Sequence, residues 1–324
     1  MLIKDVAFAA VDVGAGTDDR WAGLVRDGWP HAATWITPCM RTWQGEHAAR
    51  EVFAAHMPEL VPALDRLSAV APEPGAIALL TQVGLRPWFS SCTQAVVDGV
   101  LLRNYDLDPA RCDRTIVRSD FLRPVIGMGE VQWGLLDGMN DAGLAVSLTF
   151  GGRFVHGAGF AAPIVLRYLL ETCDKVPQAV AALRRLPIAT AQNITLMDGD
   201  QALTVHVGPD MTATTAQEPF AANHQLDPVP QGQEAFTRTH ERLAAVRAAA
   251  GATEDRPSSV LRALLQPPLY QARYSEGLGT VYTAAYRPAE GLATYHWPDT
   301  AWEQSFGAFE PGTRSVNIGL PVHC

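Results

Sequence analysis

The stretch of sequence that decides the fold spans residues 91–106 and reads SCTQAVVDGVLLRNYD. An apolar run at 94–97 is followed by Asp98-Gly99, the strongest two-residue signal for a β-hairpin turn. A second apolar run at 100–102 follows the turn directly. The stretch therefore predicts two antiparallel strands joined by a tight turn.

The predicted hairpin carries groups that suit nucleophilic catalysis. Cys92 begins the first strand, and the turn returns Arg103 and Asp106 to its side. An adjacent cation lowers the pKa of a thiol, and the thiolate is the nucleophile. From the hairpin alone a second interpretation stays open, in which Cys92 is a small buried hydrophobe and the two charges form an ordinary surface ion pair.

Composition limits the class of protein. The chain has 324 residues, of which 48% are hydrophobic and 18% charged, with a formal net charge of −9. This permits one large domain or two ordinary ones and provides enough apolar material for a sizeable core. The acidic balance argues against nucleic acid or an anionic membrane surface as a partner.

The segments that would direct the chain to another compartment are not expected. The apolar stretch near the start is broken by Asp12 and Gly14, which is unlike a signal peptide. No uninterrupted apolar run approaches the roughly 18 residues of a membrane span. The odd number of cysteines, without short-range pairing, favours a cytoplasmic protein with free thiols: Cys39, Cys92, Cys112, Cys173 and Cys324.

The order of predicted elements favours an α+β fold with antiparallel sheets over a doubly wound parallel sheet. Residues 1–40 suggest strands and turns, and 45–70 suggest two helices separated at Pro58. Further strands are predicted at 115–117, 121–126, 131–136, 144–150, 194–197, 203–207, 281–286 and 292–296, with a turn at 137–143. Further helices are predicted at 163–172, 176–186, 237–250 and 258–265.

Six stretches of the sequence, taken together and in their order along the chain, resemble the N-terminal-nucleophile (Ntn) cysteine hydrolases. The resemblance is strongest to the acyl-CoA:6-aminopenicillanate acyltransferase family (peptidase family C45). It is weaker to the choloylglycine hydrolase and penicillin V acylase group. The stretches are Pro58-Glu59-Leu60, Cys92-Thr93 with residues 103–106, DGMNDAGLAVS at 137–147, QNITLMD at 192–198, Ala222-Asn223-His224, and THERL at 239–243.

The resemblance implies a four-layer αββα sandwich and a precursor that cuts itself before Cys92. Residues 1–91 would be the pro-segment and 92–324 the catalytic part, together one globular domain. The new α-amino group would act as base, since its unperturbed pKa lies near 7.7–8.0. The substrate would be a small linear, non-peptide C–N amide, with no cofactor and no metal, and a homo-oligomer is possible.

The resemblance also implies the roles of five residues. Cys92 would be the nucleophile, and Asp106 would orient its amine and thiol. Asn223 would donate to the oxyanion, a contact worth roughly 3–4 kcal/mol. Arg103 would lie against the thiol, and Arg273 would be the late arginine of the site.

Three positions qualify the resemblance. Arg242 is the alternative to Arg273 as the late arginine. Thr149 stands where the choloylglycine group has an oxyanion asparagine. Ser91 precedes the nucleophile where relatives often carry Gly, which would make an N-to-S acyl shift easier.

Other functions fit the sequence less well. A papain-like pair would use His224 or His296 as base, but no local signature of that family surrounds Cys92. The nine scattered histidines form no metal-binding motif, and the glycines at 151–159 do not fit a dinucleotide-binding loop. The rival from another class is an uncut, non-catalytic Ntn protein that binds an acyl or amide ligand. Either water or an amine would take the acyl group from a Cys92 thioester, which gives hydrolysis or acyl transfer.

Overall fold

Two β-sheets form the centre of the protein, as described by a computed structural model over residues 5–70, 74–216 and 218–319. The first sheet has nine strands in the order β10-β9-β8-β7-β6-β5-β4-β1-β16, and the second has seven, in the order β11-β2-β3-β13-β14-β15 with β12 beside β13. The strands are β1 (Asp5–Gly14), β2 (Ser91–Val97), β3 (Val100–Leu107), β4 (Thr115–Asp120), β5 (Pro124–Glu130), β6 (Gly134–Asn140), β7 (Ala145–Phe150), β8 (Gln192–Met197), β9 (Ala202–Gly208), β10 (Met211–Ala216), β11 (Phe220–Ala221), β12 (Ala272–Arg273), β13 (Leu278–Arg287), β14 (Leu292–Trp297), β15 (Thr300–Ser305) and β16 (Gly312–Asn317).

Helices cover the outer face of each sheet. Buried side chains of α1–α3, α5 and α6 pack on the nine-stranded sheet, and those of α8 and α9 pack on the seven-stranded sheet. A third apolar core, which includes Phe8, Met139 and Tyr282, joins the two sheets. The helices are α1 (Asp19–Ala32), α2 (Trp43–His56), α3 (Val61–Ser68), α4 (Ala76–Thr81), α5 (Ala162–Thr172), α6 (Val176–Arg185), α7 (Gln231–Thr237), α8 (Thr239–Ala250) and α9 (Arg256–Leu264). The prediction of a four-layer αββα sandwich with antiparallel sheets is confirmed.

The first strand ties the start of the chain into the large sheet. β1 lies parallel to β4 on one side and antiparallel to β16 on the other, with Asp5 opposite Asn317. Residues that precede Cys92 thus supply an interior strand as well as the helices α1–α4. The segment before Cys92 is therefore part of the sandwich rather than an appendage to it.

The predicted hairpin is present as β2 and β3. Asp98 and Gly99 connect the strands, with φ angles of 46° and 73°. Two successive positive φ angles are what a type I′ turn requires, and its twist matches that of the flanking strands. The register places Cys92 opposite Tyr105 and Ser91 opposite Asp106.

Several other sequence predictions are confirmed. The region 45–70 forms α2 and α3, separated by a short 3-10 turn that begins at Pro58. The 194–207 hairpin and the pairing of 281–286 with 292–296 are also present. None of the helices in the described part of the chain is long and apolar enough to cross a membrane.

Two local predictions are wrong. Residues 19–32 form α1 rather than strands and turns: Asp18 caps it, and Trp21 and Val25 bury against the core although the helix contains Pro30. Residues 137–140 belong to strand β6 rather than to a turn, while 131–133, predicted as strand, form the turn before it. In both cases tertiary packing overrides weak local preferences.

Candidate active site

The Cys92 thiol lies in the apolar core between the two sheets. Its side chain is fully buried. It faces the nine-stranded sheet, since alternate residues of β2 face opposite sides of their own sheet. Arg103 Nη2 donates to Sγ over 3.4 Å, and Ser90 Oγ lies 3.6 Å from the same sulfur. The backbone N–H of Cys92 donates to Asn223 Oδ1 over 3.1 Å. Both the thiol and the nitrogen of Cys92 are therefore held by polar side chains.

Arg103 is a fully buried cation that is matched by a buried carboxylate. Its Nη1 contacts Asp137 Oδ2 and donates to Tyr282 Oη at 2.9 Å, and the guanidinium carbon lies 4.7 Å from the centre of the Tyr105 ring. Burial alone would lower the pKa of Arg103, but its electrostatic interactions with Tyr282, Cys92 and Asp137 outweigh burial and raise that pKa. The guanidinium beside the thiol is thus charged at any physiological pH.

Asp137 was missed by sequence reasoning as a member of the site. Besides Arg103 it accepts hydrogen bonds from Tyr282 Oη, at 2.5 Å, and from Tyr286 Oη. It lies on β6, in the sheet opposite Cys92. The one signal that could have found it is an acidic residue inside the run Leu135-Leu136-Asp137-Gly138-Met139, where a buried carboxylate requires a partner.

Asp106 is buried on the other face of the hairpin, toward the helices. Arg242 contacts its Oδ2, and Thr280 Oγ1 donates to its Oδ1 at 2.7 Å. Burial raises the pKa of Asp106, and Arg242 opposes that rise. Its backbone is paired with that of Ser91, so Asp106 lies beside the bond that precedes Cys92.

Arg242 links the polar groups around the Ser91–Cys92 bond. Arg242 lies in the first turn of α8 and is fully buried. Its guanidinium donates to Ser91 Oγ at 2.5 Å and to Asn223 Oδ1 at 3.2 Å, and it also contacts Asp106. Arg273 does not join this group in the described structure. Its guanidinium donates to the Phe236 carbonyl and lies 3.5 Å from Glu276.

The loop of residues 222–224 presents Asn223 to the end of β2. Asn223 Oδ1 also accepts from Ser91 Oγ at 2.8 Å, and its Nδ2 donates to the Phe150 carbonyl at 3.1 Å. Asn193 Nδ2 and Thr149 Oγ1 both donate to the Ala222 carbonyl, at 2.9 Å and 2.8 Å. Thr149 and Asn193 therefore both position this loop. From the sequence, Asn193 is recognisable only as part of the stretch at 192–198, with no predicted role in the site.

The segment before Cys92 lines a cavity together with residues of both sheets. Residues 84–88 and Ser90 line a narrow cavity of about 30 Å³ together with Tyr105, Leu136 and Gln192. Such a space holds one or two water molecules and no organic substrate. Phe89 packs against Phe150 and Phe154, with ring centres 5.1 and 4.9 Å away.

Neither histidine of the papain-like alternative contacts Cys92 in the described structure. His224 shares a hydrogen bond with Thr239 Oγ1 at 2.8 Å. His296 lies on β14 opposite Thr283, and burial lowers its pKa to about 4. The polar partners of the thiol are Arg103 and Ser90, so this geometry offers no Cys–His pair.

Two stacked sheets between helix layers define the class of protein as an Ntn-hydrolase fold. A mutant conjugated bile acid hydrolase from Clostridium perfringens has the same fold, with a TM-score of 0.50 and 13% identity over 72% of this chain and 99% of that chain. The sequence model of the acyl-coenzyme A:6-aminopenicillanic acid acyl-transferase family matches residues 93–302. The chain belongs to this family and is an enzyme of the class that acts on amide bonds.

Two further solved structures are similar at lower scores. Penicillin V acylase from Agrobacterium tumefaciens has a TM-score of 0.45 and 12% identity, covering 72% of this chain and 86% of that chain. The Caenorhabditis elegans orthologue of N-acylethanolamine-hydrolyzing acid amidase has a TM-score of 0.45 and 14% identity, covering 66% and 98%. No curated protein sequence matches the chain significantly.

Proposed function

We propose that the chain is a cysteine amidohydrolase or acyltransferase that becomes active by cutting its own Ser91–Cys92 bond. One observation carries the proposal: a single residue has its sulfur against Arg103, at 3.4 Å, and its nitrogen on Asn223, at 3.1 Å. After cleavage the same two side chains would hold the thiol nucleophile and the α-amine base of one residue in place. Residues 1–91 are then the pro-segment and 92–324 the catalytic part.

Self-cleavage would begin with an N-to-S acyl shift. The Cys92 sulfur adds to the Ser91 carbonyl carbon, the C–N bond breaks, and the nitrogen takes the thiol proton. Water then hydrolyses the thioester, which leaves a carboxylate on Ser91 and a free thiol and α-amine on Cys92. Arg242 and Asn223 hold Ser91 Oγ and the Cys92 nitrogen through this step.

Turnover of a small linear amide would repeat the same chemistry. The α-amine takes the thiol proton, the sulfur attacks the substrate carbonyl, and the leaving amine takes the proton as its C–N bond breaks. The amide N–H of Asn223 would donate to the oxyanion after leaving the Phe150 carbonyl. Water or an acceptor amine then takes the acyl group from the Cys92 thioester. Arg103 stays beside the sulfur, while Asp106 fixes Arg242.

Intact mass spectrometry of the wild-type chain and of Cys92→Ala tests the proposal. We expect two fragments from the wild type, the larger beginning at Cys92, and one full-length species from the variant. Cys112→Ala is the matched control, since it removes a second buried thiol and should leave cleavage unchanged. A single full-length species in all three samples would contradict the free-amine mechanism and favour an uncut protein that binds an acyl or amide ligand.

A further inference from the structure

A second cluster of polar side chains lies where the end of α1 meets the start of β4 and the end of β5. His31, Asp113 and Glu130 each bring one nitrogen or oxygen atom to a common point, and these three atoms lie within 4.8 Å of one another. His31 Nε2 is 3.9 Å from Asp113 Oδ1. The three residues are far apart in sequence, which is why no metal-binding motif was expected there.

Buried atoms of this cluster have no hydrogen-bond partner among the described residues. Glu130 is 1% exposed and its Oε2 is unpartnered, as is His31 Nε2. The Oε1 atom of the neighbouring Gln132 is a third such atom, on a side chain 5% exposed. Buried polar atoms are nearly always paired. Three unpaired polar atoms on neighbouring side chains indicate a site built to receive a ligand.

The charge of the cluster points to a cation. Asp113 and Glu130 place two carboxyl groups within 4.8 Å of one another, and a cation between them would offset their mutual repulsion. Arg114 lines the same open cleft, but its guanidinium donates to the carbonyls of Ala7 and Pro109. The cleft measures about 450 Å³ and is also lined by His31 and Asp113, so an ion has a path to them.

We propose that His31, Asp113 and Glu130 bind one divalent transition-metal ion, with Zn²⁺ as the best match. One imidazole nitrogen and two carboxylate oxygens are ligands that Zn²⁺ accepts, and three protein ligands leave a position for water from the cleft. The ligand atoms need to close by about 1 Å to reach the spacing of zinc ligands. Movement of the His31 side chain, which is 28% exposed, can supply this.

Bound metal would fasten the segment before Cys92 to the part that follows it. His31 belongs to α1, whereas Asp113 precedes β4 and Glu130 is the last residue of β5. Because unfolding or separation of these elements would break the site, metal binding stabilises their association. This inference does not depend on the proposed function, since the site is complete in the uncut chain.

Zinc binding by the chelator-treated full chain tests the inference. We expect one Zn²⁺ per chain by isothermal titration calorimetry and elemental analysis after gel filtration, with a rise in Tm on Zn²⁺ addition. His31→Ala and Glu130→Gln should each weaken Zn²⁺ binding by more than about tenfold, the loss that even outer-sphere changes cause. Glu130→Gln keeps the size and shape of the side chain, so folding is preserved, and circular dichroism checks this.

Two matched variants separate this site from other zinc ligands of the chain. His240→Ala disrupts the exposed His224–Asp227–His240 group, and Cys39→Ser removes an exposed thiol; both should bind Zn²⁺ as the wild type does. Cys92→Ala should also bind one ion, whether or not the wild type cuts itself. The inference would be overturned if the wild-type protein binds no Zn²⁺, or if His31→Ala and Glu130→Gln both bind it with unchanged affinity. Loss of Zn²⁺ binding in His240→Ala, with binding retained in these two variants, would also overturn it.

Discussion

Arg103 and Asp106 lie three residues apart on β3 and leave it on opposite faces of the sheet. Arg103 points between the sheets to the Cys92 sulfur, and Asp106 points to the helix layer and contacts Arg242. An odd spacing in a strand has this effect because successive side chains alternate. The two charges therefore do not pair with each other: Arg103 is balanced by Asp137, and Asp106 by Arg242.

Replacing Arg242 by Gln should destabilise the protein strongly. The substitution leaves the fully buried Asp106 carboxylate without its cation, and breaking a buried pair in this way costs about 3–5 kcal/mol. Urea unfolding measures the loss. Arg273→Gln is the control, because its ion pair with Glu276 is partly exposed, and we expect it to change stability by about 0.5 kcal/mol or less. Equal losses would show that Arg242 is not the buried partner described here.

Asn223→Asp should slow turnover while preserving the fold of the loop. The aspartate keeps an oxygen for the Cys92 N–H but removes the side-chain donor, and loss of one oxyanion donor lowers kcat by about 10²–10³. Single-turnover kinetics and the rate of self-cleavage measure the effect. Asn317→Asp is the matched substitution on β16, where the side-chain oxygen accepts from Gly319 N, and it should leave both rates unchanged. Similar rates in the two variants would argue against Asn223 as an oxyanion donor.

His296 should contribute to loss of stability in acid. Burial, and then the charge of Arg287, lower its pKa to about 4 in the folded protein, against about 6.5 when unfolded. The unfolded chain therefore binds more protons between these values. The stabilising effect of neutral His296 is complete above pH 6.5 and is lost as pH falls toward 4, by about 3 kcal/mol.

Urea unfolding of His296→Gln across this pH range checks that expectation. Its free energy of unfolding should fall less steeply with acidification than that of the wild type. His47→Gln, at an exposed position of α2, should reproduce the wild-type profile. If the free energy of unfolding of His296→Gln falls with acidification as steeply as that of the wild type, other groups cause the acid sensitivity.

The two fragments produced by cleavage should remain bound to each other. Trp21, Phe53 and Leu64 precede the cut and are fully buried, and each such side chain contributes about 1.5–3 kcal/mol of burial. Strand β1 adds backbone pairing on both of its edges. Gel filtration of the cleaved protein should give one peak containing both fragments, which separate only in denaturant. Two native peaks would mean that residues 1–91 are released.

The sequence predicts well what local chemistry decides. The β2–β3 turn is recognisable because Asp98-Gly99 tolerates positive φ, and the break between α2 and α3 because Pro58 cannot continue a helix. Helix α1 escaped prediction because its few apolar residues acquire their helical role from packing against the core.

The partners of the site could not be read from the sequence. Arg103 and Asp137 are 34 residues apart, and Asp106 and Arg242 are 136 apart. Only the stacking of the two sheets and the position of α8 bring them together. The resemblance left the choice between Arg242 and Arg273 open, because a family pattern does not state which guanidinium reaches a given carboxylate.

The pairing of Asp5 with Asn317 has a use in protein engineering. Since the first and last described strands run side by side and antiparallel, the start of β1 and the end of β16 are neighbours. A short glycine-rich connection could join them, and the chain could then be opened before Cys92. Such a circular permutant would be one continuous polypeptide whose amino terminus is the cysteine, obtained by removal of the initiator methionine. It would separate the chemistry of turnover from the chemistry of maturation.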